Sequence, residues 1–409
     1  MTTSAPARPS TTDSEHAATR RVAMVALALG GFGIGTTEFV AMGLLPEMAT
    51  GLDVSEPTAG HVISAYALGV VVGAPLIAAL SARVPRKHLL LGLMIAFTVG
   101  NAASVFAPNY ETLMVARFVA GLPHGAYFGV ASLVAAHLAR PGERAKAVAL
   151  VMMGLSVANV VGVPAASSLG QHLGWRTAFA LVAVIGAATV AAIWRWVPEL
   201  CAMNVTNPIT ELGALRRPQV WMTLVIGMVG FGGMFAVYTY ISTTLTDVSG
   251  LSRSLVPLAL MIYGVGMVAG NFVGGRLADR ALMPGLFASM TALGVMLAVF
   301  VFASHNPVTA LVLVFGIGAA GSSMVPGLQT RLMDVAADAQ TLAASLNHAA
   351  LNIANAFGAW IGGVVIAAGH GYTAPAAVGG ALAVAGLVVL SLAVLMERRS
   401  ADRERAHAS

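Results

Sequence analysis

The chain has 409 residues, 57% of them hydrophobic and only 10% charged, with a mean hydropathy of +0.82. Soluble domains carry about 25% charged residues, so a water-soluble globular protein is excluded. The net charge of +5 and pI near 9.7 raise nucleic acid as a partner, but the basic residues are spread over many short polar segments and none is expected.

Lipid offers no water to unpaired backbone groups, so the segments must be helices or a closed barrel, and apolar runs of about 20 residues select helices. Residues 1–20 are polar and rich in Ser, Thr and Pro, which predicts a disordered cytoplasmic tail rather than a signal peptide. An N-terminal six-helix bundle, 21–197, follows, with spans 1 to 6 at 22–46, 58–81, 88–107, 111–138, 146–169 and 177–197. A cytoplasmic connector, 198–218, holds the single cysteine, Cys201, which rules out an intrachain disulfide framework. The C-terminal bundle, 219–396, has spans 7 to 12 at 219–245, 255–278, 284–304, 307–332, 341–368 and 373–396. A mixed-charge tail, 397–409, closes the chain. The sequence contains no GxxxxGK[ST] motif, which argues against ATP as the energy source.

The two bundles are copies. The motif GGRLADR at residues 274–280 has a degraded echo earlier in the chain, where Tyr66 aligns with Tyr263, Gly69 with Gly266, Gly73 with Gly270 and Arg83 with Arg280. The same offset pairs Phe118 with Phe315 and Gly121 with Gly318, and a one-residue slip pairs Asn159 with Asn355. Parallel halves related by an axis along the membrane normal are one repeat plan of secondary transporters, whose substrate binds between the halves. Of the 22 Lys and Arg residues, Arg176 and Arg253 fall on the side away from the N-terminus and Arg117 lies within a span; all others share the side of the N-terminus. The positive-inside rule therefore predicts both termini in the cytoplasm of a multi-pass cytoplasmic-membrane protein.

Within the spans, Glu38 is the residue to single out for proton coupling. It sits about eight residues, roughly 12 Å, below the outer end of span 1, and intramembrane carboxylates usually line a cavity or relay protons. The alternative is a protonated Glu that bonds a neighbouring carbonyl and merely packs two helices. Arg117 on span 4 lies at comparable depth, so a Glu38 to Arg117 contact, direct or through water, is expected. His124 shares the Arg117 face at i+7 and is a second titration candidate, or a neutral hydrogen-bonding residue. Phe231, Phe235 and Tyr238 form one stripe on span 7, as substrate pocket or as packing. His348, Asn352 and Asn355 form a polar stripe on span 11, for substrate hydrogen bonds or interhelical glue. Gly154, Gly162 and Pro164 on span 5 predict a tightly packed, pliable seam between the halves.

Over nearly its whole hydrophobic length the chain resembles the major facilitator superfamily, a fold of twelve transmembrane helices in two pseudo-repeated bundles, all-α and integral to the membrane. The motifs GTTEFVAMGLLP (35–46), YALGVVVGAPL (66–76), PRK (85–87), GLPHGAYFGV (121–130) and GWRTAF (174–179) look like its twelve-span drug:proton antiporter branch, similar to arabinose and sugar-efflux permeases and chloramphenicol exporters. The resemblance assigns proton transfer to the Arg of span 4, here Arg117. It also implies that the 154–164 motif limits leak and marks export, and that the loops after spans 2 and 8 act in gating, through Arg83, Arg86, Asp279 and Arg280. The first loop carries Ala82 where the family usually has Asp, so only Asp279 can play that part. The resulting expectation is proton-coupled efflux of small organic molecules such as drugs, sugars or metabolites, by a monomer without cofactor or metal and without enzymatic activity. An uncoupled facilitator is the alternative, and a non-transporting membrane sensor a more distant one. The sequence leaves the substrate open.

Overall fold

The computed structural model describes residues 11–81, 84–140, 143–199, 216–336 and 340–408, and among these every regular element is helical. Eleven helical segments are long and apolar enough to cross a membrane. One of them, Arg253–Ala303, is 51 residues long and is two spans joined at Ala281, whose backbone (φ −161°, ψ 87°) leaves the helical region. That makes twelve crossings, and twelve crossings put both chain ends on one face. We call this face the terminal end and the other the distal end.

Breaks within spans fall where proline removes a helical donor. Span 1, Thr11–Gly43, gives way at Leu44 to a short helix, Leu45–Leu52, because Pro46 has no N–H for the Met42 carbonyl. Span 10 is likewise interrupted at Ser323, between Pro307–Ser322 and Met324–Ala336, with Pro326 four residues beyond Ser322. Span 5 runs as Arg144–Val157, a π turn at Ala158–Gly162, and Val163–Leu173. At the distal end the helix starts are closed by side chains. Ser55 accepts from the Thr58 N–H, Asn109 and Thr112 form a capping box, and Asn306 accepts from Val308 and Thr309.

Both expected tails begin differently. The first helix starts at Thr11, well before residue 21, and the last, Ala374–Ala408, runs through most of 397–409. These segments are polar, but Ala, Glu and Arg are good helix formers, so a span already nucleated simply continues into them. Cys201 and most of the connector, like Arg83, lie outside the described residues.

The duplication is visible in the packing. Gly69 lies against the Phe118 carbonyl and Gly121 against that of Tyr66; 197 residues on, Gly266 lies against Phe315 and Gly318 against Tyr263. A Cβ at any of the four would run into backbone, so spans 2 and 4, and 8 and 10, are held in close contact by the same device.

Candidate functional site

The centre of the molecule is built around Arg117, which is fully buried. Its guanidinium donates to the Thr37 hydroxyl at 2.8 Å and to the Thr37 carbonyl at 2.9 Å, both on span 1. Thr37 in turn donates to Asn101 Oδ1 at 2.5 Å, and Asn101 donates to the Phe97 carbonyl at 2.9 Å. The cation also lies over the rings of Tyr66, 4.3 Å, and Phe179, 5.0 Å. A buried charge is tolerated only with such compensation, here from neutral acceptors and ring faces.

Of the expected Glu38 to Arg117 contact, the direct ion pair is not formed. None of the ion pairs among the described residues includes Glu38, although the Arg117 charge acts on it. Adjacent residues on a helix point about 100° apart. Thr37 therefore faces span 4, while its buried neighbour Glu38 points elsewhere. His124 does share the Arg117 face: its Nδ1 meets the Tyr66 hydroxyl at 3.1 Å. Its ring packs edge-on against Phe128, and Phe128 stacks on His348 of the other half at 5.9 Å.

The span 7 stripe faces span 1. Phe235 stacks on Phe39 at 6.3 Å, Tyr238 meets Phe39 edge-on at 5.9 Å, and Phe231 packs edge-on against Phe235. Tyr238 stacks on Tyr263 of span 8 at 3.9 Å. Phe39 and Tyr263 were not singled out in the sequence, although Phe39 adjoins Glu38 and Tyr263 anchors the repeat. On span 11, Asn352 donates to the His348 carbonyl, while Asn352 Oδ1 and both polar atoms of Asn355 have no hydrogen-bond partner among the described residues. The Tyr263 hydroxyl and Asn159 Oδ1 are in the same position. Each such buried group costs about 1–3 kcal/mol if it stays unpaired.

Gly154 and Gly162 do not form the seam between halves that their spacing predicts. They face span 1 of their own half, against the Ala28 carbonyl and the Thr36 hydroxyl. The contact with the other half lies between them. In the π turn the Val163 N–H reaches the Ala158 carbonyl, five residues back, and in that register Pro164 has no N–H for the Asn159 carbonyl. Gly264 of span 8 packs directly on that carbonyl, and a Cβ there would overlap it.

At the distal end the halves are latched. Arg253 pairs with Glu47 at 3.0 Å, Thr243 donates to Glu56 at 2.5 Å, and Ser64 donates to the Ala356 carbonyl at 3.0 Å. Tyr240 donates to the Ala359 carbonyl from a notch between Gly60 and Gly363, where a Cβ on either glycine would overlap or crowd its hydroxyl. Burial and the neighbouring Glu56 carboxylate push the Tyr372 phenol beside this latch up to about 12.

The ion pairs at the terminal end, Lys87 with Glu199 and Arg331 with Glu397, each stay within one half. Asp279 and Arg280 are exposed, and neither is in an ion pair among the described residues. The helix continues through them and carries both side chains outward. Arg86 is half-buried at the start of span 3, beside Lys87, which pairs with Glu199 at 3.4 Å. Arg331, counted in the sequence among the cations on the side of the N-terminus, is not a solvated one. It is buried in the second half, held by Glu397 at 3.0 Å, Gln219 at 3.2 Å and Met283 Sδ at 2.9 Å.

Twelve spans in two pseudo-repeated halves, with a buried cation and carboxylate in the first and buried unpaired polar groups in both, are the architecture of a membrane transporter rather than an enzyme. The major facilitator superfamily model matches residues 27–336 and, in a second match, 241–409, and the chain belongs to that superfamily. It is 42% identical over 381 residues to the inner membrane transport protein YdhP of Escherichia coli K12, covering 93% of this chain and 96% of that one. It is 34% identical to the chloramphenicol resistance protein of Streptomyces lividans, covering 89% and 94%. Among solved structures it resembles a bacterial homologue of the human lysosomal transporter Spinster, with a TM-score of 0.67 at 16% identity over 92% and 95% of the two chains.

Proposed function

We propose that the protein is a proton-coupled exporter of small organic molecules in the cytoplasmic membrane, working by alternating access with both termini in the cytoplasm. The observation that carries this reading is the division of labour at residues 37 and 38. Thr37 takes two Arg117 N–H groups on neutral acceptors, and among the described residues the buried Glu38 carboxylate is in no ion pair. A carboxylate so placed is free to take up a proton from one side and release it to the other without first breaking a salt bridge. The distal latch closes the outward path, so substrate enters from the cytoplasm, among Phe39, Phe235, Tyr238 and Tyr263. Its hydrogen-bonding groups meet Asn352, Asn355 and Asn159. Protonation of Glu38 from outside then drives release and return. Aromatic rings, amides and one acid suit neutral compounds with a flat ring and several hydroxyl or amide groups, and a chloramphenicol resistance protein among the relatives supports that range.

The test is efflux from proteoliposomes loaded with chloramphenicol, arabinose or a purine nucleoside, with and without an imposed pH gradient. Acceleration of at least one compound by an inward proton gradient is expected. Efflux equal with and without the gradient would favour an uncoupled facilitator.

A further inference from the structure

A cavity of about 570 Å³ lies apart from the central site, at the terminal end between spans 1, 4 and 5. Its ceiling is fixed by two contacts: the Tyr127 hydroxyl donates to the Leu27 carbonyl at 2.8 Å, and Gly154 lies against the Ala28 carbonyl. Beyond these clamps the cavity is lined by all three helices, from Met24 and Val25, Leu138, and Leu150 and Met153. The walls are apolar, from Met24, Leu150 and Met153, and Met153 is 52% exposed, so the cavity opens sideways onto the lipid-facing surface. Arg21 and Arg140 also line it, with the Glu143 carboxylate.

This combination matches one chemistry. An acyl chain fills an apolar slot that is open to the bilayer, and a phosphate at headgroup depth meets guanidinium groups, which bind it in a planar, two-bonded manner. A water-soluble anion would leave the apolar walls uncovered, and a neutral lipid would leave the excess positive charge of the lining unanswered. The volume lies within the 300–1,000 Å³ of ordinary ligand cavities. Taking the orientation proposed above, the site lies in the cytoplasmic leaflet.

We propose that this cavity is a binding site for an anionic phospholipid, held by Arg21 and Arg140 at the headgroup and by Met24, Leu150 and Met153 along the chain. A bound lipid here would wedge the ends of spans 1, 4 and 5 and set the resting spacing of the first half.

The test uses the full-length protein in nanodiscs containing a trace of photoreactive phosphatidylglycerol or photoreactive phosphatidylcholine, with labelled peptides mapped by mass spectrometry. The expected result is preferential phosphatidylglycerol labelling of the peptides holding Met24, Leu150 and Met153. Each arginine near the surface contributes about five-fold, so Arg21→Gln with Arg140→Gln lowers that labelling by about thirty-fold. Labelling at exposed Phe302, far from the cavity in sequence and 82% exposed, should not change, and Arg21→Lys with Arg140→Lys should retain most of the signal at the site. Equal labelling by the two lipids, insensitivity to the glutamine substitutions, or equal loss at Phe302 would each overturn the proposal, as would displacement of the label by a transported compound.

Discussion

In the proposed alternating-access cycle the distal latch breaks on every turnover, so weakening it is expected to shift the resting equilibrium towards the distal-open state. Thr243→Val removes the hydroxyl that donates to Glu56 at 2.5 Å and nearly keeps the side-chain volume. A hydrogen bond to a charged group contributes about 1.5–3 kcal/mol; at this partly hydrated rim we discount it to about 1. Arg253→Gln removes the pair with Glu47, in which the arginine side chain is 55% exposed, a contact of about 0.2–1 kcal/mol. Together they amount to about 1–2 kcal/mol, a five- to thirty-fold change in the ratio of distal-open to distal-closed molecules. The assay is pulsed electron paramagnetic resonance between nitroxides at exposed Thr50 and His370, one on each half, after Cys201→Ser removes the native thiol. The double variant should show a growing long-distance population. Distance distributions identical to the wild type would refute the assignment of these contacts as the closing latch.

Three further outcomes follow from the packing. Arg117→Lys keeps the charge but cannot hold both Thr37 acceptors or lie flat against two rings, so transport should fall at least ten-fold with folding intact; a full transport rate would contradict the bidentate role. Gly264→Ala drives a methyl group into the Asn159 carbonyl, at about 1–3 kcal/mol in this conformation. It should slow transport and shift the same label distances, and an unchanged protein would mean that spans 5 and 8 have slack there. Glu397→Ala leaves buried Arg331 without its carboxylate, at about 1–2 kcal/mol given that Glu397 is 40% exposed. The midpoint of thermal unfolding should drop, and the added change Arg331→Met should recover part of it; no drop would mean that Gln219 alone suffices.

The twelve spans and the repeat were legible in the sequence because lipid enforces helices and because the glycines at 69, 121, 266 and 318 each mark a backbone contact. Depth was legible too, since Glu38 and Arg117 do lie in one region. Rotation was not: depth counts residues along a helix, and whether Thr37 or Glu38 faces span 4 is decided by how span 1 packs. The same limit misplaced Gly154 and Gly162, whose spacing defines a face without saying which neighbour it meets. The Asn159 carbonyl was half-legible, because Pro164 announces a freed acceptor, but the π turn that selects residue 159 depends on the packing of spans 1 and 8. Glu397 and the terminal segments read as solvated from composition alone, which cannot distinguish a polar coil from a polar extension of a helix.

The most direct test of the account separates exchange from proton-driven transport in Glu38→Gln. Glutamine keeps the size and polarity of the side chain but cannot carry a proton, so the variant should still exchange labelled substrate across proteoliposomes at equal pH while losing acceleration by a pH gradient. If Glu38→Gln responds to the gradient as the wild type does, the carboxylate is not the coupling site and the central claim fails.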